Sequence, residues 1–148
     1  MRRLLHIAVY LVFRVHLQFY LLWILLLDKL VPAHRMARMA TPPRWWRPYR
    51  RLTVAQIRKA VRRSLRNPRH MKRRFCLRFG LSLYHFLRLA GRDAVVHFSL
   101  AAPTFDPKRL HGHCWVSLNG KPVADPPKPE TKSKILWQFP VDNDKKKN

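Results

Sequence analysis

The N-terminal segment from Leu4 to Leu30 constrains the fold most, because so long an apolar run must be buried in a core or at a lipid surface. Its composition predicts one long helix. Polar or amphipathic residues recur three or four positions apart and so line one side of that helix, namely Arg3, His6, Tyr10, Arg14 and Gln18. The broad apolar face that is left is typical of a helix that packs on a domain or lies at a membrane interface.

A membrane-spanning role for this helix is disfavoured. Its unbroken apolar run, Phe19 to Leu27, falls well short of the ~20 residues that a spanning helix needs, and an arginine at Arg14 would cost roughly 2.5 to 3.5 kcal/mol in mid-span. Arg14 would also interrupt the apolar region of a signal peptide cut near Val31–Ala33. We therefore expect a cytoplasmic protein in which residues 4–30 contact the domain or the inner face of the membrane.

The charge distribution is strongly basic and uneven. Lys and Arg number 31 against 7 Asp and Glu, a formal net charge of +24, and Asp28 is the only acidic residue before Cys76. Such a field attracts anionic lipid, nucleic acid or acidic peptide without choosing among them. Two cysteines provide no disulfide framework and fit no paired-cysteine zinc pattern, which favours a reducing compartment.

A proline-rich connection and a basic helix follow the apolar segment. In His34 to Arg51 arginines alternate with Trp45, Trp46 and Tyr49, and this connection either covers the core or contacts bases or lipids. Thr53 and Gln56 then predict a capping box that opens a helix ending before Pro68. Its outer face is either solvated or holds an acidic partner, and consists of Arg58, Lys59, Arg62, Arg63 and Arg66.

The C-terminal half predicts a helix followed by strands. Apolar spacing of 3.6 residues predicts a helix that starts near Phe75 and ends at Gly91, with the stripe Leu77, Leu81, Tyr84 and Leu87. Ala94–Ala101 reads as a strand, and residues 113–125 read as a hairpin about Asn119-Gly120. Beyond it lie a linker, a small apolar patch at Ile135–Val141 that is able to dock on the core, and a lysine-rich tail. We divide the chain into residues 1–52, 53–126 and 127–148.

Cys76, His113 and Asp125 are the candidate catalytic residues. A thiol at a positive helix end, after the basic residues 72–74, favours its nucleophilic thiolate form. An imidazole can take the thiol proton and return it to a leaving amine, while a carboxylate fixes the imidazole tautomer. Spacing alone leaves the alternative open that Cys76 is a small core residue and His113 an ordinary polar residue that begins a strand.

The register of the hairpin decides whether His113 and Asp125 share a face. A two-residue type I′ turn pairs Leu118 with Lys121 and puts Cys114 opposite Asp125. A three-residue loop with a bulge at Gly120 instead puts His113 opposite Asp125. Turn rules for Asn-Gly favour the two-residue turn, whereas the catalytic hypothesis requires an odd-length loop, and we predict the latter.

The stretches CLRFGLSLYHFLRLAGRDAVVHFSL and HCWVSLNGKPVAD resemble the transglutaminase-like leader peptidases of lasso-peptide biosynthesis, the family of the microcin-processing protein. The resemblance runs from about Thr53 to Asp125, with similar helices before it. It implies an α+β fold with a papain-like core, in which the nucleophile helix packs on a small antiparallel sheet. It also implies Cys76 as nucleophile, His113 as general base and Asp125 as its orienting residue. Departures are Cys114 for the usual alanine and Ser117 for a common acidic residue.

By this resemblance the chain is a cysteine peptidase that removes the leader of a ribosomally made precursor peptide, without a cofactor. The implied partners are the precursor, a separate leader-recognition protein and a macrolactam cyclase that acts next. Two other functions stay open: a non-catalytic basic adaptor for membrane or, less favoured, nucleic acid, and a transglutaminase-like acyl-transferase. A metal site at His111, His113 and Cys114 is disfavoured because residues 113 and 114 point to opposite faces of a strand.

Overall fold

A computed structural model describes residues 2–28, 30–66, 75–101, 111–124 and 133–140. Within these ranges the helices are α1 (Arg2–Leu27), α2 (Ala33–Met39), α3 (Val54–Leu65) and α4 (Phe75–Leu89). The strands are β1 (Ala94–Ala101), β2 (His111–Leu118), β3 (Lys121–Ala124) and β4 (Ser133–Phe139). They form one antiparallel sheet in the order β3-β2-β1-β4, so the predicted α+β class is confirmed.

The helix α4 lies at the centre of the core. The predicted stripe of Leu77, Leu81, Tyr84 and Leu87 is buried, and burial extends around the whole helix from Leu77 to Leu89. One side packs on β1 and β2, while α1, α2 and α3 pack elsewhere on it. A helix that is covered on all sides in this way needs partners above all for the charged and strongly polar side chains that it carries.

Both predicted boundary signals of the middle helices are confirmed. At the start of α3 the Thr53 hydroxyl accepts a hydrogen bond from the Gln56 amide N–H, and the Gln56 side chain accepts one from the Thr53 amide N–H, at 3.2 and 2.9 Å. At the end of α4, Gly91 has a φ of +75° and the Arg92 amide N–H donates to the Leu87 carbonyl, as in a Schellman motif. These local signals fix where both helices lie along the chain.

The long helix α1 begins at Arg2 and ends at Leu27 rather than at Leu30. Its inner face enters the core through Phe13, Leu17, Leu21 and Ile24. Part of the polar side predicted for this helix faces α3. The His6 Nε2 atom lies 3.3 Å from the side-chain amide nitrogen of Gln56, and the Gln18 side-chain amide donates to the Ser64 hydroxyl at 3.0 Å. The apolar residues on the opposite face of α1 are exposed.

The predicted three-residue hairpin loop is wrong. Leu118 pairs with Lys121, and φ is positive at both Asn119 (49°) and Gly120 (75°), which defines a two-residue type I′ turn. The left-handed conformation of Gly120 was predicted correctly. The register at the turn, however, follows the preference of Asn-Gly for a two-residue turn and not the odd-length loop that the catalytic hypothesis required. The hairpin does contain an extra residue, but in β3 and not in the turn. Ser117 pairs with Pro122 and Val116 with Ala124, so that Val123 forms a bulge in β3.

The segment after the hairpin contributes a strand that was predicted only as an apolar patch. Within the predicted patch Ile135–Val141, Trp137 lies opposite Phe98 of β1, and the two rings stack with centroids 5.2 Å apart. Pairing to β1 makes β4 one edge of the sheet, as β3 is the other. The connection before α3 also forms the short helix α2, and Tyr49 of that connection is buried while Trp45 and Trp46 are exposed.

Buried polar groups of α4 join the helix to the connection before α3. The His85 Nδ1 atom lies 2.7 Å from the Ala40 carbonyl oxygen, and the Tyr84 hydroxyl lies 2.9 Å from that of Thr41. Burial lowers the pKa of His85 to about 4. The hydrogen bond to Ala40 acts in the opposite direction and raises the pKa, but by less. His85 is therefore neutral at pH 7 and its Nδ1–H donates to Ala40.

This lowered pKa predicts a loss of stability in acid. As the pH falls from about 6.5 to about 4, the unfolded chain takes up a proton at His85 that the folded chain does not, which disfavours folding by ~3 kcal/mol. Urea unfolding at several pH values should show that His85→Gln removes most of this dependence. The matched change of the exposed His34, His34→Gln, should leave it intact. Equal pH slopes in wild type and His85→Gln would contradict the assignment.

Candidate active site

Cys76 lies in the first turn of α4 and is partly exposed, whereas the thirteen residues that follow it in the helix, Leu77 to Leu89, are buried. The same end of α4 is tied to the end of α1 by a nearly buried ion pair, in which an Arg78 guanidinium nitrogen lies 2.8 Å from an Asp28 carboxylate oxygen. Removing one partner of a buried pair typically costs about 3 to 5 kcal/mol. The first turn of α4, and with it Cys76, is therefore fixed to the core at a point that solvent reaches.

Cys114 of β2 packs under the same helix. A Cβ atom added to Gly80, one turn after Cys76, would collide with the Cys114 sulfur. Burial raises the pKa of the Cys114 thiol, and a negative charge on nearby Cys76 raises it further. Cys114 is thus a neutral packing residue, and Gly80 is required by close approach of the helix to β2.

His113 precedes Cys114 on β2, and its ring stacks on Trp115, with centroids 6.0 Å apart. Successive side chains of a strand point to opposite faces, and Cys114 points toward α4. The described contacts therefore bring Cys76 beside Cys114 and His113 beside Trp115. A hydrogen bond between Cys76 and His113 stays a prediction.

Asp125 lies outside the described residues, as do the basic residues 72–74 and most of the loop 104–112. The described hairpin bears on Asp125 only through its register. At the end of β3, Val116 and Ala124 lie opposite each other and share a face. The expected pairing of His113 with Asp125 also implies this, because side chains alternate along both strands. The two-residue turn and the bulge at Val123 together add one residue to the hairpin, as the predicted three-residue loop would have done. They therefore give the same alternation of faces at the end of β3.

A second histidine on the same face was missed by sequence reasoning. His97 of β1 lies opposite Trp115, its ring stacks on the indole at 5.0 Å, and its Nε2 atom lies 2.7 Å from the Ser117 hydroxyl. Burial lowers the pKa of His97, which favours the neutral imidazole. Its signal in the sequence was weak, because a single histidine inside a strand resembles any half-buried polar residue.

The bulged strand is held by the basic helix. An Arg58 guanidinium nitrogen donates to the Val123 carbonyl at 2.9 Å, which joins α3 to the irregular position of β3. The other four residues of the predicted outer face of α3 are exposed, as is Arg58. One member of that basic face thus has a structural contact.

A partly exposed cysteine in the first turn of a buried helix, packed on a strand that carries a histidine, is an arrangement of cysteine-dependent peptidases and acyltransferases. The family model described as the transglutaminase-like superfamily matches residues 17–138. The chain belongs to that superfamily. The match is longer than the resemblance to leader peptidases, which ran from about Thr53 to Asp125. It begins within α1 and ends within β4. Comparison with curated proteins gives no match, and comparison with solved structures gives none.

The two thiols should differ sharply in reactivity. We expect iodoacetamide to alkylate Cys76 in the native protein and to leave Cys114 intact, because Cys114 is buried and its pKa is raised. Peptide mass spectrometry after brief labelling measures both sites, with urea-unfolded protein as the control in which both react. Alkylation of Cys114 as fast as Cys76 in native protein would contradict the assigned burial.

The contact of Gly80 with Cys114 should appear as coupling between them. Gly80→Ala alone should destabilise by about 1 to 3 kcal/mol through overpacking, although alanine favours helix by about 1 kcal/mol. In a Cys114→Ala background the same change should be neutral or stabilising. Urea unfolding of the four proteins gives the coupling energy. Equal effects of Gly80→Ala in both backgrounds would show that the side chains do not collide.

Proposed function

We propose that this protein is a cysteine peptidase that removes the leader from a ribosomally made precursor peptide during lasso-peptide maturation. The observation that carries the proposal is the position of Cys76: a partly exposed thiol at the fixed end of a buried helix, inside the region matched by the transglutaminase-like superfamily. The narrower assignment to lasso-peptide processing rests on the resemblance of the Cys76 and His113 segments to those leader peptidases. A papain-like arrangement of the catalytic residues belongs to the same proposal.

The reaction assigns one role to each candidate residue. His113 takes the proton of Cys76, and the thiolate attacks the carbonyl carbon of the scissile peptide bond. The C–N bond then breaks, and the leaving amine of the core peptide takes the proton from the His113 imidazolium. Water, deprotonated by His113, attacks the thioester, and the leader leaves with a new carboxylate as the sulfur regains its proton. Asp125 would orient His113 and stabilise the imidazolium.

The proposal needs partners. A separate leader-recognition protein would deliver the precursor to Cys76, and a macrolactam cyclase would consume the cleaved core peptide. These roles follow from the proposed pathway, in which the peptidase cuts a peptide that another protein holds.

Cleavage should depend on Cys76 and His113 but not on their neighbours. With precursor and recognition protein present, Cys76→Ala should abolish cleavage, and His113→Ala should lower kcat/KM by roughly 10²- to 10⁴-fold. The matched controls are Cys114→Ala and His97→Ala, which remove the other thiol and the other imidazole of the same region. Mass spectrometry of the leader and core fragments measures the rate. Full cleavage by Cys76→Ala would exclude the peptidase proposal and favour a non-catalytic adaptor.

The superfamily match supports acyl transfer as the second candidate, because a thioester can be resolved by an amine as well as by water. The two reactions differ in the C-terminus of the leader product, which is a carboxylate after hydrolysis and an amide after transfer. Product mass with an added primary amine distinguishes them. A predominantly amidated leader at low amine concentration would replace the peptidase by an acyltransferase.

A further inference from the structure

The outer face of α1 is an exposed apolar stripe that the fold leaves uncovered among the described residues. Its large residues, more than half exposed and spaced three or four apart or adjacent, are Leu4, Ile7, Leu11, Val12, Val15, Phe19, Leu22 and Leu26. At 1.5 Å per residue the stripe is about 33 Å long. It lies on the side of the helix opposite Phe13, Leu17 and Ile24, which are buried in the core. Contiguous apolar surface of this length marks an interaction site.

Cations border this stripe on the side of α3. A groove of about 370 Å³ between α1 and α3 is lined by the apolar Ile7 and Leu11 and by Arg14, Lys59 and Arg63. A second cationic depression shares Lys59 and Arg63 with it and adds Arg62 and Arg66. Among the residues that the structure describes, none that lines either depression is acidic. Anionic groups of about phosphate size fit such a border in charge and in space.

The other side of the stripe carries aromatic residues and arginines. The Trp46 ring lies 6.3 Å from that of His16 on α1, and Trp45 is 83 % exposed. Arg44 and Arg47 flank these indoles and are exposed. Exposed tryptophans beside arginines are typical of the boundary between water and the acyl region of a bilayer.

We propose that α1 docks in the plane of an anionic phospholipid bilayer through this outer stripe. The stripe enters the acyl boundary, while Arg14, Lys59 and Arg63 hold headgroup phosphates on one side and the Trp45–Trp46 segment lies at the interface on the other. By length and composition α1 could cross a membrane. Its inner face is bound to α3 and α4, however, so crossing would expose that part of the core, whereas lying in the plane uses only the face already exposed.

Charge favours a membrane over a second copy of this chain. Cations line one side of the stripe and arginines flank the other, so two such faces placed together would bring like charges into contact. An anionic bilayer neutralises both borders and covers the apolar surface at once. The docked orientation would also fix the peptidase against the inner face of the membrane.

Vesicle flotation of the full chain tests the proposal. The protein should float with mixed phosphatidylcholine–phosphatidylglycerol vesicles and much less with phosphatidylcholine alone. The triple variant Leu11→Ser, Val15→Ser, Phe19→Ser should lose at least about tenfold in partitioning, since each apolar side chain removed from the acyl boundary weakens binding. The matched control, Met39→Ser with Ile135→Ser, changes exposed apolar residues elsewhere and should float as wild type does.

A charge-matched pair tests the border of the stripe. Lys59→Gln with Arg63→Gln should lower binding to the anionic vesicles by roughly fivefold per cation. Arg35→Gln with Lys121→Gln removes the same net charge at exposed sites that line neither the groove nor the arginine border, and should have less effect. Far-UV circular dichroism and the accessibility of Cys114 verify that each variant is folded.

Three results would overturn the proposal. Wild-type protein that stays unbound with anionic vesicles would exclude membrane docking. Equal binding by the stripe variant and its control would show that the stripe is not the contact. A wild-type dimer in light scattering that the stripe variant dissociates, without vesicle binding, would assign the face to a second copy of this chain.

Discussion

The structure depends on the burial of α4 from every side. From Leu77 to Leu89 each residue of this helix is buried, including Arg78, His85 and Arg88. Burying a polar or charged group is costly unless it has a partner, and the fold provides Asp28 for Arg78 and the Ala40 carbonyl for His85. Those partners come from the end of α1 and from the connection after α2. The N-terminal helices are therefore part of the domain that holds the candidate nucleophile, in agreement with a superfamily match that begins inside α1.

The same burial accounts for the position of Cys76. Since the helix cannot shift without disturbing its contacts with the sheet and with α1, its first turn is fixed, and Cys76 remains partly exposed there. Gly80 allows β2 to approach the helix closely, and Cys114 fills the contact. This close approach sets the distance between α4 and the strand that carries His113. A site on a rigid helix and a rigid strand is better suited to hold a reactive thiol and an imidazole in one geometry than a site on loops.

Local signals in the sequence predicted most of the elements, and tertiary effects account for the differences. The Thr53–Gln56 box, the left-handed Gly91 and the β-branched run Ala94–Ala101 are each determined by neighbouring residues, and each was predicted correctly. The strand β4 was predicted only as an apolar patch, because its pairing with β1 is a long-range contact. The predicted three-residue hairpin loop was wrong: it placed His113 and Asp125 on one face of the sheet, against the Asn-Gly preference for a two-residue turn. The bulge in this hairpin lies at Val123 instead. The outer stripe of α1 could not be separated from its core face by composition, since both are apolar.

The central claim is that Cys76 forms the covalent bond to the substrate, and an acid-quenched intact-mass measurement during turnover tests it most directly. With precursor and recognition protein present, wild-type protein quenched during turnover should carry an adduct with the mass of the leader acyl group, and peptide mapping should place it on Cys76. An adduct on Cys114, or cleavage in progress with the Cys76 thiol unmodified at every time point, would contradict the account.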